Sequence, residues 1–211
     1  MNRLIVERLN QGEPILAPTD NWWENGVTFN AAAVYLSPED SRVIRALLPM
    51  FAPDDAALVR GVVAVHYRAR PEMDPGSAFT RSFIGLALFT PELKLLYRYQ
   101  EPVLFPSADA QGYDALGVED PRITRLDGRF YMVYCGVQPD AEKVYRAVLC
   151  LAVSDDLLAW EKLGPLPGEI NTSNNKDGVL FPQQISGKYY LLHRPYWEGV
   201  APSEYAIRLA Q

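Results

Sequence analysis

The chain has 211 residues, 48% of them hydrophobic, and a net charge of −6, which is enough for one or two domains with a sizeable core. The negative balance gives a nucleic-acid partner no electrostatic support, and no apolar run is long enough to span a membrane. The 12 tyrosines, 8 phenylalanines and 17 prolines suit an all-β chain rich in turns.

In chain order, Met1–Arg8 is charged throughout and lacks an apolar signal core, so a cytoplasmic location is expected. Residues 1–12 read as a lead-in strand or arm, Glu13–Pro18 as a proline-bounded extended segment, and Asn21–Gly26 as a polar-aromatic loop. Val27–Leu36 reads as a strand of small and β-forming residues. Ser37-Pro38-Glu39-Asp40 then predicts the cap of a short helix through Leu48, an insertion between strands. Val62–Arg70 and Ser82–Phe89 are strands around a Pro/Gly/Ser loop at 71–80. Glu101–Pro106 echoes Glu13–Pro18.

Glu119 and Asp120 stand before Pro121 and Arg122, in a loop that leads into the strand Ile123–Leu126. The turn Asp127-Gly128 and the return strand Arg129–Cys135 complete a hairpin. Tyr145–Ser154 is a further strand, followed by a turn whose Trp160 packs back. A third unit runs from Asn174 to Pro182, turns at Ser186-Gly187 and returns through Tyr189–Pro195, and Tyr205–Ala210 begins the next strand. Cys135 and Cys150 lie at apolar strand ends and read as buried free thiols. Neither has the neighbours of a metal site, and 2 histidines are too few for a cluster.

Three markers recur in one order. They are the pairs Leu86-Ala87, Leu151-Ala152 and Leu209-Ala210; the hairpin glycines Gly128 and Gly187; and the return-strand ends Arg68, Gly136 and Arg194, each series spaced by roughly 60 residues. A repeat of several short strands predicts a β-propeller; a β-sandwich with chance similarity is the alternative. At this spacing the chain supplies about three and a half blades, whereas a propeller closes with roughly four to eight. The expectation is one partial propeller domain over residues 1–211, ending within a blade: a fragment, a truncated frame, or a half that associates through open strand edges.

A carboxylate fixed at a rigid strand start beside a cation suits general acid work. The same residues also fit a solvated loop in which Arg122 is a plain ion-pair partner, and spacing does not choose between them. Lys176 precedes the outgoing strand of the third hairpin and Arg194 ends its return. Hairpin ends lie side by side, so both cations can face one cavity and hold an anion, Arg as a two-pronged donor and Lys as a point charge. Solvation of the hairpin end by these two side chains is the other reading.

The run from Gly117-Val118-Glu119-Asp120-Pro121-Arg122 to Gly136 resembles the signature of glycoside hydrolase family 130, the β-mannoside phosphorylases and β-mannosidases. Asn21-Trp22-Trp23-Glu24 with Phe29-Asn30-Ala31-Ala32-Ala33 is similar to the family's first blade, Ala31 standing where proline is more usual. Lys176-Asp177 and His193-Arg194-Pro195 are similar to two further motifs, so the resemblance spans about Asn21 to Arg208. It implies a five-bladed propeller with the site at the central cavity and Asp120 as catalytic acid. By the same resemblance Asn30, Arg68, Glu119 and Asp177 contact the sugar; Trp22, Trp23 and Tyr113 stack on pyranose faces; and Lys176, His193 and Arg194 bind phosphate.

The implied reaction is inverting phosphorolysis of a β-mannoside to α-mannose 1-phosphate. The proton of Asp120 passes through the mannose 3-hydroxyl, and no second carboxylate serves as base. The implied partners are a β-mannoside oligosaccharide, with inorganic phosphate as co-substrate, and a second copy of the chain in a homo-oligomer. No metal or organic cofactor, nucleic acid or membrane is implied. The alternatives are a β-mannosidase using water, with Asp177 or Glu24 as base, and an incomplete, non-catalytic glycan-binding propeller.

Overall fold

The computed structural model describes residues 10–52, 55–73, 79–141, 145–196, 201 and 205–211. They form three antiparallel sheets, each a meander in which sequence neighbours pair. Sheet 1 comprises β1 (Val27–Leu36), β2 (Val62–Arg70), β3 (Phe83–Phe89) and β4 (Leu95–Arg98). Sheet 2 comprises β5 (Gly117–Leu126), β6 (Arg129–Gln138), β7 (Arg146–Ser154) and β8 (Glu161–Pro165). Sheet 3 comprises β9 (Asn174–Leu180), β10 (Leu191–Tyr196) and β11 (Arg208–Ala210).

The local chemistry explains the strand ends. Asp127-Gly128 and Ser186-Gly187 both turn with two positive φ values, 50° and 81° in the first and 53° and 75° in the second. Two such residues give the turn whose twist matches a hairpin. In sheet 1 the turn is replaced by the insertion that carries α1 (Ser41–Leu47), preceded by a single 3-10 turn in which Ser37 and Asp40 form a capping box. The Leu-Ala pairs fall on β3, β7 and β11, the third strand of each sheet.

Three expectations need correction. The described residues make sheets of four, four and three strands rather than three and a half blades. The estimate divided the whole length by the repeat, but residues 10–26 contribute no strand and the first unit is lengthened by its insertion. Glu13–Pro18 is not a strand, and the arm expected over residues 1–12 lies mostly outside the described residues. The short outer strands β4 and β8, only partly buried, carry no strong alternation and were not expected.

The sheets stack face to face. Leu86, Leu88, Ala64 and Val62 of sheet 1 pack with Phe130 and Leu157 of sheet 2, and Ile84 and Leu104 pack with Val118, Met132, Tyr134 and Cys150. Val133 and Leu149 meet Leu191 of sheet 3. Both faces of β3 are buried, because Trp23 covers the opposite face with Val65, Tyr67, Phe83 and Phe89. Cys135 and Cys150 are buried free thiols, and burial raises both pKa values, that of Cys150 to about 12.

His66 of β2 is wholly buried between sheets 1 and 2. Its Nε2–H donates to the Leu157 carbonyl at 2.8 Å and its ring stands edge-on to Trp160 at 5.5 Å, while Nδ1 has no partner. Burial pushes its pKa from 6.5 down to about 4, against the opposing pull of the Leu157 bond. Below pH 6.5 the unfolded chain takes up a proton that the folded chain refuses until about pH 4. Stability is therefore expected to fall as pH drops through that window, by up to about 1.4 kcal/mol per pH unit. His66→Gln, which keeps a donor for Leu157 and does not titrate, removes that slope in denaturant titrations at pH 7 and pH 5.

Candidate active site

The first strand of each sheet carries a bulge at an equivalent place. Pairing slips between Phe29 and Ala32 on β1, between Glu119 and Arg122 on β5, and opposite Leu192–Arg194 on β9. At each bulge an Asn or Asp takes the left-handed conformation: Asn30 at φ 48°, Asp120 at 53° and Asp177 at 55°. Among non-glycine residues these two tolerate that region best, and bulges re-aim side chains. The following residues are Ala31, Pro121 and Gly178. Gly178 has no room for more, since a Cβ there would lie 2.5 Å from Val133.

The acids are thus within β5 and not in a loop before it. Pro121 is accommodated because the bulge releases its ladder bond. The residues paired with the position just before each bulge are Arg68, Cys135 and Arg194. Cys135, not Gly136, is therefore the register equivalent of the two arginines, the bulge having displaced the count by one.

The three bulges bring one polar cluster together. Asp120 Oδ1 accepts from Asn30 Nδ2 at 2.7 Å and from Arg68 Nη1 at 3.1 Å. Glu119 joins all three sheets: its Oε1 accepts from Arg68 Nη2 and from Ser82 Oγ at 3.1 Å, and its Oε2 accepts from Lys176 Nζ at 2.6 Å. Arg68 Nε also donates to Ser82 Oγ at 3.0 Å. Burial alone would raise the pKa of Asp120. The Asn30 hydrogen bond and the charges of Arg68 and Lys176 outweigh it and hold the carboxyl below its ordinary value. Burial likewise works against the Lys176 ammonium, but Cys135 and the bonded Glu119 more than offset it, so Lys176 stays charged.

Beside this cluster lies a more open one. Arg194 Nε donates to Asp177 Oδ2 at 2.8 Å, its Nη2 lies 2.6 Å from the same oxygen, and Arg122 Nη2 is 4.0 Å from Oδ1. Arg194 rests 5.2 Å over the Tyr196 ring. Two cations share one carboxylate here, which leaves one positive charge over, and that carboxylate follows Lys176 on β9. The arrangement offers an anion two guanidinium forks and an ammonium near an ionised aspartate.

Other expected site residues fall elsewhere. His193 projects from β10 opposite to Arg194, since adjacent strand residues face opposite sides. It is buried, exchanges a hydrogen bond with Asn175, and lines a cavity of about 750 Å³ with Leu166, Ile170, Leu180 and Leu191. It is not brought to Lys176. Trp23 is fully buried, its Nε1 donating to the Gln100 carbonyl at 2.7 Å, so it has no face for a sugar. Tyr113 packs against the cluster between sheets 1 and 2. Trp22 is exposed but stands edge-on to Phe83, on the sheet 1 face turned away from sheet 2.

Glu24, the candidate base of the hydrolytic alternative, is wholly buried. It accepts from Thr19, Asn21, Tyr67 and Arg98 at 2.6–2.9 Å, which makes it a structural carboxylate. Ser82, which bridges Arg68 and Glu119, escaped the sequence reading as a site residue, since it reads only as the first position of the strand Ser82–Phe89.

The family model described as beta-1,4-mannooligosaccharide phosphorylase matches residues 41–210. The chain is 32% identical over 194 residues to 1,2-beta-oligomannan phosphorylase from Thermoanaerobacter sp., covering 90% of this chain and 54% of that protein. It is also 32% identical over 183 residues to a beta-1,2-mannobiose phosphorylase from the same source, covering 86% and 52%. The chain thus spans about half the length of the curated relatives it matches.

Among solved structures, a glycosyl hydrolase from Bacteroides ovatus superposes with TM-score 0.66 at 24% identity, over 89% of this chain and 52% of that one. Beta-1,2-mannobiose phosphorylase from Listeria innocua, in complex with beta-1,2-mannobiose, gives TM-score 0.55 at 17% identity, over 85% and 62%. With the family model matched across most of its length and relatives at 32% identity, the chain belongs to glycoside hydrolase family 130.

Proposed function

We propose that the Asp120 cluster is the acid and phosphate side of an inverting β-mannoside phosphorylase. The observation that carries this reading is the bulged trio of first strands, which sets buried Asp120 in the field of Lys176 and places the Arg194–Asp177 pair one residue further along β9. The carboxylates nearest Asp120 are committed to cations, Glu119 to Arg68 and Lys176 and Asp177 to Arg194. Phosphate needs no base to activate it, whereas water does.

The proton count fits an ionised Asp120. The net reaction converts hydrogen phosphate and the β-mannoside into the α-mannose 1-phosphate dianion and a free hydroxyl. One proton therefore moves from phosphate to the leaving oxygen. A dianion arriving beside Asp120 raises its proton affinity, so the carboxyl takes a proton from solvent as phosphate binds and passes it to the leaving oxygen, and the phosphate monoester releases its own proton to solvent once the new bond has formed. The phosphate oxygen forms the new bond to the anomeric carbon as the glycosidic bond breaks. Asn30 and Arg68 hold Asp120 at the reacting bond.

The names of two relatives favour β-1,2-linked oligomannosides as substrate. In the same reading the three sheets are blades of a single five-bladed propeller domain, phosphate is the co-substrate without a metal or organic cofactor, the protein is cytoplasmic, and open strand edges pair copies of the chain. The test is incubation with β-1,2- and β-1,4-mannobiose, each with and without phosphate. Mannose 1-phosphate formed only with phosphate, and faster from the β-1,2 sugar, is the expected result. Free mannose without phosphate moves the chain to the mannosidases, and no product from a folded sample leaves the glycan-binding reading.

A further inference from the structure

Arg70 is the last residue of β2 and pairs with Val27, the first of β1. It lies two residues beyond Arg68, on the same face of the strand and about 7 Å further along it. The Phe29 ring stands between them, with Arg68 Cζ 4.6 Å and Arg70 Cζ 5.6 Å from its centroid. Phe29 in turn precedes Asn30, the residue that holds Asp120. Arg70 therefore stands beside the residues that hold the acid, at the strand end from which Pro71 leaves the sheet.

The two arginines differ in what they hold. Arg68 spends its guanidinium on Glu119, Asp120 and Ser82. Among the described residues no carboxylate and no hydrogen-bond acceptor meets Arg70, and its Nε is buried without a partner. A buried Nε left without an acceptor is costly, and a ligand that supplies acceptors to this guanidinium offsets that cost. All three bulges lie near the starts of β1, β5 and β9, so this end of the sheets is the mouth of the site. A terminal sugar whose bond is broken at Asp120 extends its leaving part toward the mouth. The phosphate-side cations stand in sheet 3, across Glu119 from Arg70.

Building on the phosphorylase reading, we propose that Arg70 is a specificity-determining residue for the leaving sugar. Phe29 fixes the plane of its guanidinium, and the terminal nitrogens donate to two neighbouring hydroxyl oxygens of that sugar. A neutral sugar suits it, because hydroxyl oxygens satisfy the fork and need carry no opposite charge.

The test is calorimetric titration of β-1,2-mannobiose, mannose and inorganic phosphate into the full chain and into Arg70→Met and Arg70→Lys, with melting curves for each. Arg70→Met keeps an apolar stem on Phe29. It is expected to weaken mannobiose about tenfold or more, and to leave mannose and phosphate affinity within about twofold. Arg70→Lys, a point charge without the fork, restores only part of the loss. Unchanged mannobiose affinity in a folded Arg70→Met overturns the proposal, as does an equal loss of phosphate affinity, which would make Arg70 a phosphate ligand, or absence of mannobiose binding by the parent chain. Phosphate-dependent turnover by the parent separates the two claims. Turnover with mannobiose affinity indifferent to Arg70 sinks this inference alone, and Arg70-dependent binding without turnover sinks the phosphorylase reading alone.

Discussion

On the proposed phosphorylase reading, Asp120→Asn is expected to cut phosphorolysis about 10²–10⁴-fold while leaving the fold and substrate binding in place. Asparagine tolerates the left-handed backbone at φ 53°, as Asn30 does at the matching bulge of sheet 1. Its amide oxygen can still accept from Asn30 and Arg68, so the geometry around it survives. What is lost is the proton, and a positioned general acid contributes about 10²–10⁴-fold. The expected result is a fall of that size in kcat with KM nearly unchanged and with a melting temperature close to the parent's. A variant that keeps more than about a tenth of the parent rate removes Asp120 from the role of acid. Asp120→Ala is the poorer test, because alanine is strained at this φ and removes the acceptor for Asn30 and for buried Arg68.

Arg68→Met has the larger effect on stability. Arg68 is the counter-charge common to Glu119 and Asp120, with side chains about 10%, 3% and 5% exposed. Removing one partner of a buried ion pair costs about 3–5 kcal/mol, because the remaining charge is left without compensation. Glu119 retains Lys176 and Ser82, and Asp120 retains Asn30, so the loss falls mainly on Asp120.

The sign with pH separates this from simple loss of packing. In the parent, Asp120 has a folded pKa below its ordinary 3.8. Its contribution to stability is present above that value and is lost as pH falls through the folded one. In Arg68→Met burial raises the Asp120 pKa with one opposing charge gone, so the acid-side loss shrinks or reverses. Denaturant titrations at pH 7 and pH 4 check this: the gap between parent and variant is expected to narrow toward acid pH. A gap constant with pH points to packing and contradicts the ion-pair explanation.

Much of the sheet architecture was legible because its determinants are local. β1 and β2 begin and end where apolar alternation does, and Asp127-Gly128 and Ser186-Gly187 form turns that few other pairs can make. The Leu-Ala repeat marked the third strands because Leu86, Ala87 and Ala152 are buried and Leu151 is partly buried in sheets 1 and 2. The bulges were not legible. Proline in Glu-Asp-Pro-Arg reads as a loop signal because it lacks an N–H, and only pairing with β6 shows a strand that steps around it.

Trp23 and Trp22 are adjacent and chemically alike, yet one is wholly buried and the other 55% exposed. Which of them faces solvent depends on the distant strands β2 and β3. His193 could have been separated from Arg194 in advance, since neighbours on an expected strand face opposite ways; the motif grouped what the pleat divides. Arg70 carried no mark distinguishing it from any arginine at a strand end, because what sets it apart is a buried Nε without a partner among the described residues, a property of the fold.

The most direct test of the Asp120 site as an inverting phosphorylase is ³¹P and ¹H NMR of the purified chain turning over β-1,2-mannobiose in phosphate buffer. Attack by phosphate opposite the leaving sugar predicts α-mannose 1-phosphate as the first product, absent from Asp120→Asn. The β-anomer, or free mannose accumulating with no phosphorylated sugar, would contradict it.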